Sequence, residues 1–549
     1  MKIKKINIII LTFSLMMVSV SCDKEFLDIN EDPNNPTSAS LDLLLPAAQI
    51  GNAFWTSRSV QRHASIFVRQ YYNLGPSTYN IQGSAYGNDW NAMYRDALND
   101  FKNVRIQAEE LGLTGYAGIS KVHTAFIYSI LVDLWGDVPF SEALQGAENT
   151  TPKFDQGSDV YNALLSMLDD AKVDLQSAID NGEVGITSDV IYGASSTQYN
   201  KWIKAANTLK LRLLLNLRLV DEATSKAGIT TLINENNFID SNGDDFQFQF
   251  SSGIAPMNQH PIFQQEYISG SKNAYMSNYF MYNLISKADP RLKYYIFRQG
   301  ADGLVTFQTQ PCATRSDCEY GWLGNDTPSN GLPALGAAAD GYIGRDHGDP
   351  SGIPGDNTIR ATFGVYPIGG SFDDGSQGDR TPTSGGKGAG ISIFETNFNR
   401  AFMLAEAALT LGVAGDVTAL LEEGIRASIS KVMTFGANVD GAAVAAGSPP
   451  TSVEVDAYVD ARIADYTAAT TDSERLDIII KEMYYANFGN GIVAYNAFRR
   501  TGFPSDLPTA MAPNGPFPNR FPYTPGELSS NPNAPNPAPT VAEKIFWAK

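Results

Sequence analysis

Binding a neutral sugar needs flat aromatic faces to stack on the C–H faces of the ring and amides to fix its hydroxyls. The chain holds 25 Tyr, 28 Phe and 6 Trp, and two groups of aromatics stand outside its helical patterns. Tyr71, Tyr72, Tyr79 and Tyr86 run together with Asn73, Asn80 and Asn88, while Trp322 and Tyr342 fall in an irregular middle stretch. These are the candidate ligand-binding residues. Core packing is the competing role for each one taken singly, and the cluster argues for binding better than its members do.

Other chemistry has weaker footing. Asp346, Asp349, Asp356 and Asn357 offer hard oxygens at glycine-rich spacing, a possible structural Ca2+ loop, and Asp373, Asp374 and Asp379 form a second acidic loop. Neither has the EF-hand register. Asp240-x-Asn242-x-Asp244 starts like one, but Asp245 stands where glycine is needed and Ser251 where glutamate is needed. Gly385-Gly386-Lys387-Gly388 is rejected as a phosphate loop, because Thr381 replaces its first glycine and Gly388 its magnesium-binding hydroxyl residue. His63, His123, His260 and His347 are scattered and read as structural or solvent-facing. No GxSxG nucleophile elbow occurs, whereas 59 acidic residues leave a hydrolytic carboxylate pair open. No cofactor is expected beyond the Ca2+ possibility.

The elements around these residues are helical at both ends of the chain. Val122, Ala125, Phe126, Ile130, Leu134 and Trp135 fall on one face of a helix over Gly118–Leu134. Tyr161–Ile179 and Trp202–Val220 repeat the pattern, after helices over Leu41–Gln49, Val60–Tyr71 and Trp90–Leu111. Trp55, Trp90, Trp135 and Trp202 read as core. Periodicity is lost from Phe246 to about Ile391, apart from a helix over Tyr275–Lys287. It resumes over Asn399–Leu411, Asp416–Val432, Val453–Thr467, Ser473–Gly489 and Gly491–Arg500. The expected fold class is mainly α, built of helix pairs with a large irregular insertion. In units, that is a helical scaffold over 38–223 and 392–503, an irregular binding portion over 224–391, and an extended segment over 504–549. The prolines from Pro504 to Pro539 place that stretch on the surface. Arg499 and Arg500, at a helix end, read as ties for terminal carbonyls and tail rather than an anion site.

The chain starts as an exported one. Lys2, Lys4 and Lys5 precede an apolar run from Ile6 to Val20, and Ser19-Val20-Ser21-Cys22 has the form of a lipobox, with Cys22 the lipidated residue. Residues 1–21 are then a signal peptide and 22–37 a tether, in which Asp32-Pro33 and Asn35-Pro36 disfavour helix. Losing three lysines and no acid takes the formal charge from −19 to −22, which repels nucleic acid and anionic lipid. In an oxidising compartment Cys312 and Cys318, in a turn-rich segment, are expected to pair; zinc needs about four ligands, and no further Cys or His cluster stands near them.

Several segments in order resemble the SusD-like (SusD/RagB) outer-membrane lipoproteins of Bacteroidota. They are Asn30-Glu31-Asp32-Pro33-Asn34-Asn35-Pro36, LVDLWGDVPFSEAL from Leu131 to Leu144, LAEAAL from Leu404 to Leu409 with Gly424–Ser428, RRTGFP from Arg499, and FPNRFPYTPGE from Phe517. Tyr523-Thr524-Pro525 departs from the family's more usual adjacent Tyr-Pro. The resemblance implies a single domain over 38–549, with four TPR-like helix pairs as scaffold and an irregular portion carrying the ligand surface. It also implies an outer-membrane, outward-facing location and a SusC-like TonB-dependent transporter as partner, over which the lipoprotein acts as a lid. The expected role is non-catalytic capture of an oligosaccharide. A peptide cargo, a lipid-anchored glycoside hydrolase and a structural surface protein stand as alternatives.

Overall fold

A computed structural model describes residues 39–73, 79, 81–255, 257–268, 274–300, 318–321, 323, 332–349, 359–511 and 515–549; for Tyr72 and Asn73 it describes the backbone alone. Cys22, Asn80, Cys312, Trp322 and Asp356, with the expected signal peptide and tether, lie outside the described residues.

The N-terminal helices are α1 (Leu41–Thr56), α2 (Ser59–Phe67), α3 (Asn99–Leu111), α4 (Thr114–Trp135), α5 (Gly157–Asp180), α6 (Gln198–Leu217) and α7 (Glu222–Glu235). From α3 onward each packs on the next. Gly112, in left-handed conformation (φ 69°), ends α3 and reverses the chain into α4 within two residues. Gly118 lets α4 approach α5, because a Cβ there would collide with Leu175. The second helical run is α9 (Asn397–Leu411), α10 (Val417–Val439), α11 (Ser452–Ala468), α12 (Asp472–Ala486) and α13 (Gly491–Thr501). Asp416 caps α10, and α11 and α12 open with capping boxes, Thr451/Glu454 and Thr471/Glu474. Helix-pair scaffolding of the TPR-like kind is therefore present at both ends, and α2 on α13 and α6 on α9 join them over one continuous core.

Between the runs, α8 (Asn278–Ser286) is the one described α-helix of more than four residues. Short antiparallel strand pairs pin this region to the scaffold. β1 (Tyr71–Asn73) pairs with β5 (Ala274–Met276), β4 (Phe246–Gln249) with β8 (Ile391–Glu395), and β6 (Ile296–Arg298) with β7 (Ala361–Phe363). A fourth pair, β2 (Val138–Pro139) with β3 (Phe154–Asp155), lies after α4. β4 and β8 close the whole excursion into a loop anchored beside α6.

Three expectations need correction. The irregular portion does not begin at 224, because α7 continues to Glu235; it buries only Ser225, Ile229 and Leu232, too few apolar positions to raise a periodic signal. The expected helix to Tyr71 stops at Phe67, and Tyr71 enters β1. The stretch from Pro504 to Pro539 is not a surface strap, since Phe521 and Tyr523 are buried, and beyond it Ile545 and Trp547 are buried too. Proline bars the tail from helix but not from the interior, because its remaining polar groups find partners. Phe521 N donates to Leu134 O (2.6 Å), Trp135 Nε1 to Pro522 O (3.0 Å), and Lys549 N to Arg499 O (2.9 Å). Arg499 does tie the tail down, donating to Asn519 O (2.7 Å) and lying over the Trp547 ring.

A buried polar network crosses from the first helical run to the second. Asp133 on α4 accepts from Trp547 Nε1 (3.1 Å), Asn496 Nδ2 (2.7 Å) and the Tyr161 hydroxyl. Glu406 on α9 takes Arg500 through both its oxygens (2.8 and 2.6 Å) and Arg218 of the first run at 3.0 Å. Burial would raise the Glu406 carboxyl, but the two guanidinium groups hold it below the ordinary glutamate value. Nearby, burial pushes Glu395 up to about 7 despite Arg212 Nη1 at 2.7 Å, a contact without hydrogen-bond geometry.

Candidate functional site

The irregular portion and the start of the tail together enclose a pocket of about 200 Å3, lined by Tyr279, Glu319, Tyr320, Asp346, His347 and Pro508 to Met511. Its construction starts at β5. Arg345 N donates to Met276 O (3.0 Å) and Asn278 N to Arg345 O (2.9 Å), so Asp346 is set against the start of α8. The Asp346 carboxylate then accepts four N–H groups: backbone Glu319 and Tyr320 (both 2.8 Å), backbone Gly321 (3.1 Å), and Asn278 Nδ2 (2.7 Å). That clamp fixes the 319–321 turn and with it the Tyr320 ring. Burial raises the Asp346 carboxyl and these hydrogen bonds pull it back.

Tyr320 stands between two tyrosines of α8. Its centroid is 5.9 Å from Tyr279 and 5.4 Å from Tyr282, the latter at an interplanar angle of 56°. Tyr279 is buried and donates its hydroxyl to Asp506 (2.9 Å), which Lys481 pairs at 3.2 Å. Tyr282 is half-buried and so keeps part of its ring surface open. On the far wall, Met511 N donates to His347 O (2.9 Å) and Arg69 Nε to Pro508 O (2.9 Å). Burial, then the nearby Arg69 charge, lowers His347 well below its ordinary value, so it is neutral at physiological pH. Glu319 is only half-buried; burial, then Asp346 and Asp506, raises its carboxyl. Cys318 is disulfide-bonded, and its Sγ lies 3.5 Å from Met511 Sδ.

The expected ligand residues whose side chains are described lie largely elsewhere. Tyr71 packs edge-on to Phe363 and Tyr86 against Phe521, both fully enclosed, while Tyr342 is buried with its hydroxyl 3.3 Å from Asp373 and Arg298 over its ring. None of the three presents a face to solvent. Tyr79 borders the pocket through His347 (ring centroids 5.6 Å) but is itself buried, with Arg69 on its hydroxyl. Tyr72 and Asn73 contribute backbone to β1, and Asn88 is exposed on the short helix Gly87–Asn91. Burial of the tyrosines follows from the tail and β7 closing over them, which local spacing does not announce. Of the calcium-loop candidates that are described, Asp346 spends its oxygens on N–H donors, and Asp349 lies 3.6 Å from Arg345. No group of three or more His, Cys, Asp or Glu among the described residues is placed to hold a metal ion. Conversely, Tyr279, Tyr282, Tyr320 and Glu319 escaped notice. Tyr320 lies two residues from Trp322 in the same turn-rich segment, and the α8 tyrosines looked like ordinary helix residues.

Two family models match the chain, one described as starch-binding and associating with the outer membrane over residues 33–311, the other as SusD and RagB outer membrane lipoprotein over 395–543. The first spans half of the chain. The chain belongs to the SusD-like family. Solved SusD-like structures agree in fold along nearly the whole length. A chitin-binding protein is 20% identical, covers 93% of this chain and 100% of its own, and superposes with a TM-score of 0.68. A SusD/RagB family protein from Bacteroides thetaiotaomicron is 19% identical (93% and 99% covered, TM-score 0.67). A chitin-binding SusD homologue from Flavobacterium johnsoniae is 17% identical (92% and 98% covered, TM-score 0.66). No curated protein matches in sequence. Among the described residues no helix is long and apolar enough to cross a membrane. The SusD-like family is one of outer-membrane lipoproteins.

Proposed function

We propose that this SusD-like protein captures an oligosaccharide at the Tyr282–Tyr320 pair and hands it to a SusC-like TonB-dependent transporter, held at the outer face of the outer membrane by lipid on Cys22. The observation that carries the reading is the pair itself. Tyr320, itself buried, lines the pocket with Glu319, and the half-buried Tyr282 lies beside it at the pocket's edge, its ring 5.4 Å from that of Tyr320. Such a surface can stack a sugar ring and accept its hydroxyls. The starch-binding description of the family and two chitin-binding structural neighbours support a saccharide over a peptide. Binding rather than hydrolysis is supported by Asp346, whose oxygens are taken up by four N–H donors and are not available for acid–base work beside Glu319.

Calorimetry with starch and chitin oligomers tests this. Tyr320→Ala and Tyr282→Ala should each weaken binding by about 1–3 kcal/mol while melting stays cooperative. Unchanged affinity in both variants would remove the site.

A further inference from the structure

A cleft of about 490 Å3 between the α1–α2 corner and residues 261–265 departs from the chain's acidity. The protein carries a formal charge of −19. Four other clefts and pockets among the described residues each include at least two carboxylates in their walls. This cleft has two guanidinium groups, Arg58 and Arg62, and no carboxylate in its wall. Gln265 and the ring of Phe54 complete its working surface, while Gln264 Nε2 is spent on Gln259 O (2.8 Å) and Ser59 faces the buried Asp89 carboxylate, whose charge also meets Arg58. Arg62 Nη1 donates to Gln265 Oε1 (3.1 Å), which orients both side chains across the cleft. Gln264 and Gln265 belong to a π-helical segment, Gln264–Ile268, whose wider turn follows the short helix Pro261–Phe263. Arg58 is exposed, so its guanidinium reaches a ligand without disturbing the core.

We propose that this cleft is a second saccharide site, selective for an acidic sugar. Arg58 and Arg62 would take a carboxylate or sulfate by charge-assisted hydrogen bonds. Phe54 would stack the ring, and the Gln265 amide beside Arg62 would meet its hydroxyls. The surrounding negative charge gives the cleft a discriminating function: an anionic sugar is repelled elsewhere on the surface and is held where the two cations stand. The site involves none of the residues that line the tyrosine pocket.

The test compares a galacturonate tetramer with a neutral galactose tetramer on the full chain by calorimetry, with thermal melting to verify folding of each variant. The acidic tetramer should bind about ten-fold or more tighter, and Arg58→Gln should lower its affinity about ten-fold. Raising salt should weaken it further, and Tyr320→Ala should leave it unchanged. Equal binding of the two tetramers, or an acidic-tetramer affinity indifferent to both Arg58→Gln and Arg62→Gln, overturns the proposal. So does a loss in Tyr320→Ala with none in Arg58→Gln, which would move the acid to the tyrosine pocket. A neutral glycan that fails to bind at all, beside an acidic tetramer that still responds to Arg58→Gln, breaks the proposed function and leaves the cleft standing.

Discussion

The helical junction and the tyrosine pocket use the same side-chain types to opposite ends. At the junction, Glu406, Arg500 and Arg218 are all nearly or wholly buried, and every charge meets an opposite one. At the pocket, one buried carboxylate, Asp346, holds a turn of backbone, and the acids around it, Glu319 and Asp506, stay partly in water. A paired charge inside a helical core fixes how two rigid bodies meet. A carboxylate clamping a loop from below fixes the buried Tyr320 ring, which in turn backs the half-buried Tyr282. The difference explains how a protein built mostly of packed helices can carry a binding surface in the portion with the least regular structure.

The sharpest way to break this comparison is at the junction. Glu406→Ala leaves Arg500 and Arg218 buried without their partner, and the expected loss is about 3–5 kcal/mol of unfolding free energy. Urea denaturation should register it as a lower midpoint. Glycan affinity of the fraction that remains folded should not change. A loss below about 1 kcal/mol would mean the network is a spectator of the helix packing around it.

How much of this was legible in the sequence follows the same division. The helices with apolar stripes, α4, α5 and α6, were readable because burial of one face imposes a 3.6-residue period. Trp135 and Trp202 were readable as core for the same reason. Arg499 was readable as a tie because a cation at a helix end has carbonyls to satisfy. The pocket was not, since its parts come from α8, the 318–321 turn, Asp346 and the stretch from Pro508 to Met511, segments that only tertiary contacts bring together. Tyr71 and Tyr86 are buried for one physical cause, distant segments folding over them. Tyr86 is covered by Phe521, more than four hundred residues onward in the chain, and loop position says nothing about what folds back onto it. The proline-rich tail misled likewise, because proline composition reports backbone shape and not burial.

A second break in the comparison is a matter of pH. Glu395 sits at the junction with an ordinary glutamate value of 4.5 that burial raises to about 7 in the folded protein. Between those values the folded state keeps a proton the unfolded chain has released, so stability falls as pH rises from 4.5 to about 7 and is level above. Buried His123 and His260, each lowered to about 3, act in the other direction, costing stability as pH drops below 6.5. Wild-type stability alone therefore mixes the two. Glu395→Gln isolates the acid: its stability relative to wild type should rise by something on the order of 1–3 kcal/mol across pH 4.5 to 7.5. A difference that stays flat over that range would show that Arg212 keeps Glu395 ionised throughout.

The mildest change for stability belongs to the pocket, and there the comparison is sharpened. Asp346→Asn keeps the side-chain shape but turns an acceptor of four N–H groups into one with a single oxygen and an NH2 that faces donors. The helical runs do not depend on the 319–321 turn, so global stability should fall by no more than about 1 kcal/mol. Affinity should fall further than stability, because Tyr320 loses its fixed position beside Tyr282 and the ligand must then order the turn as it binds. Measuring both in one preparation, by melting and by calorimetry with the oligomer that binds wild type best, separates the two effects. A large drop in melting with unchanged affinity would make Asp346 a structural group like Glu406, and the contrast between clamp and junction would dissolve.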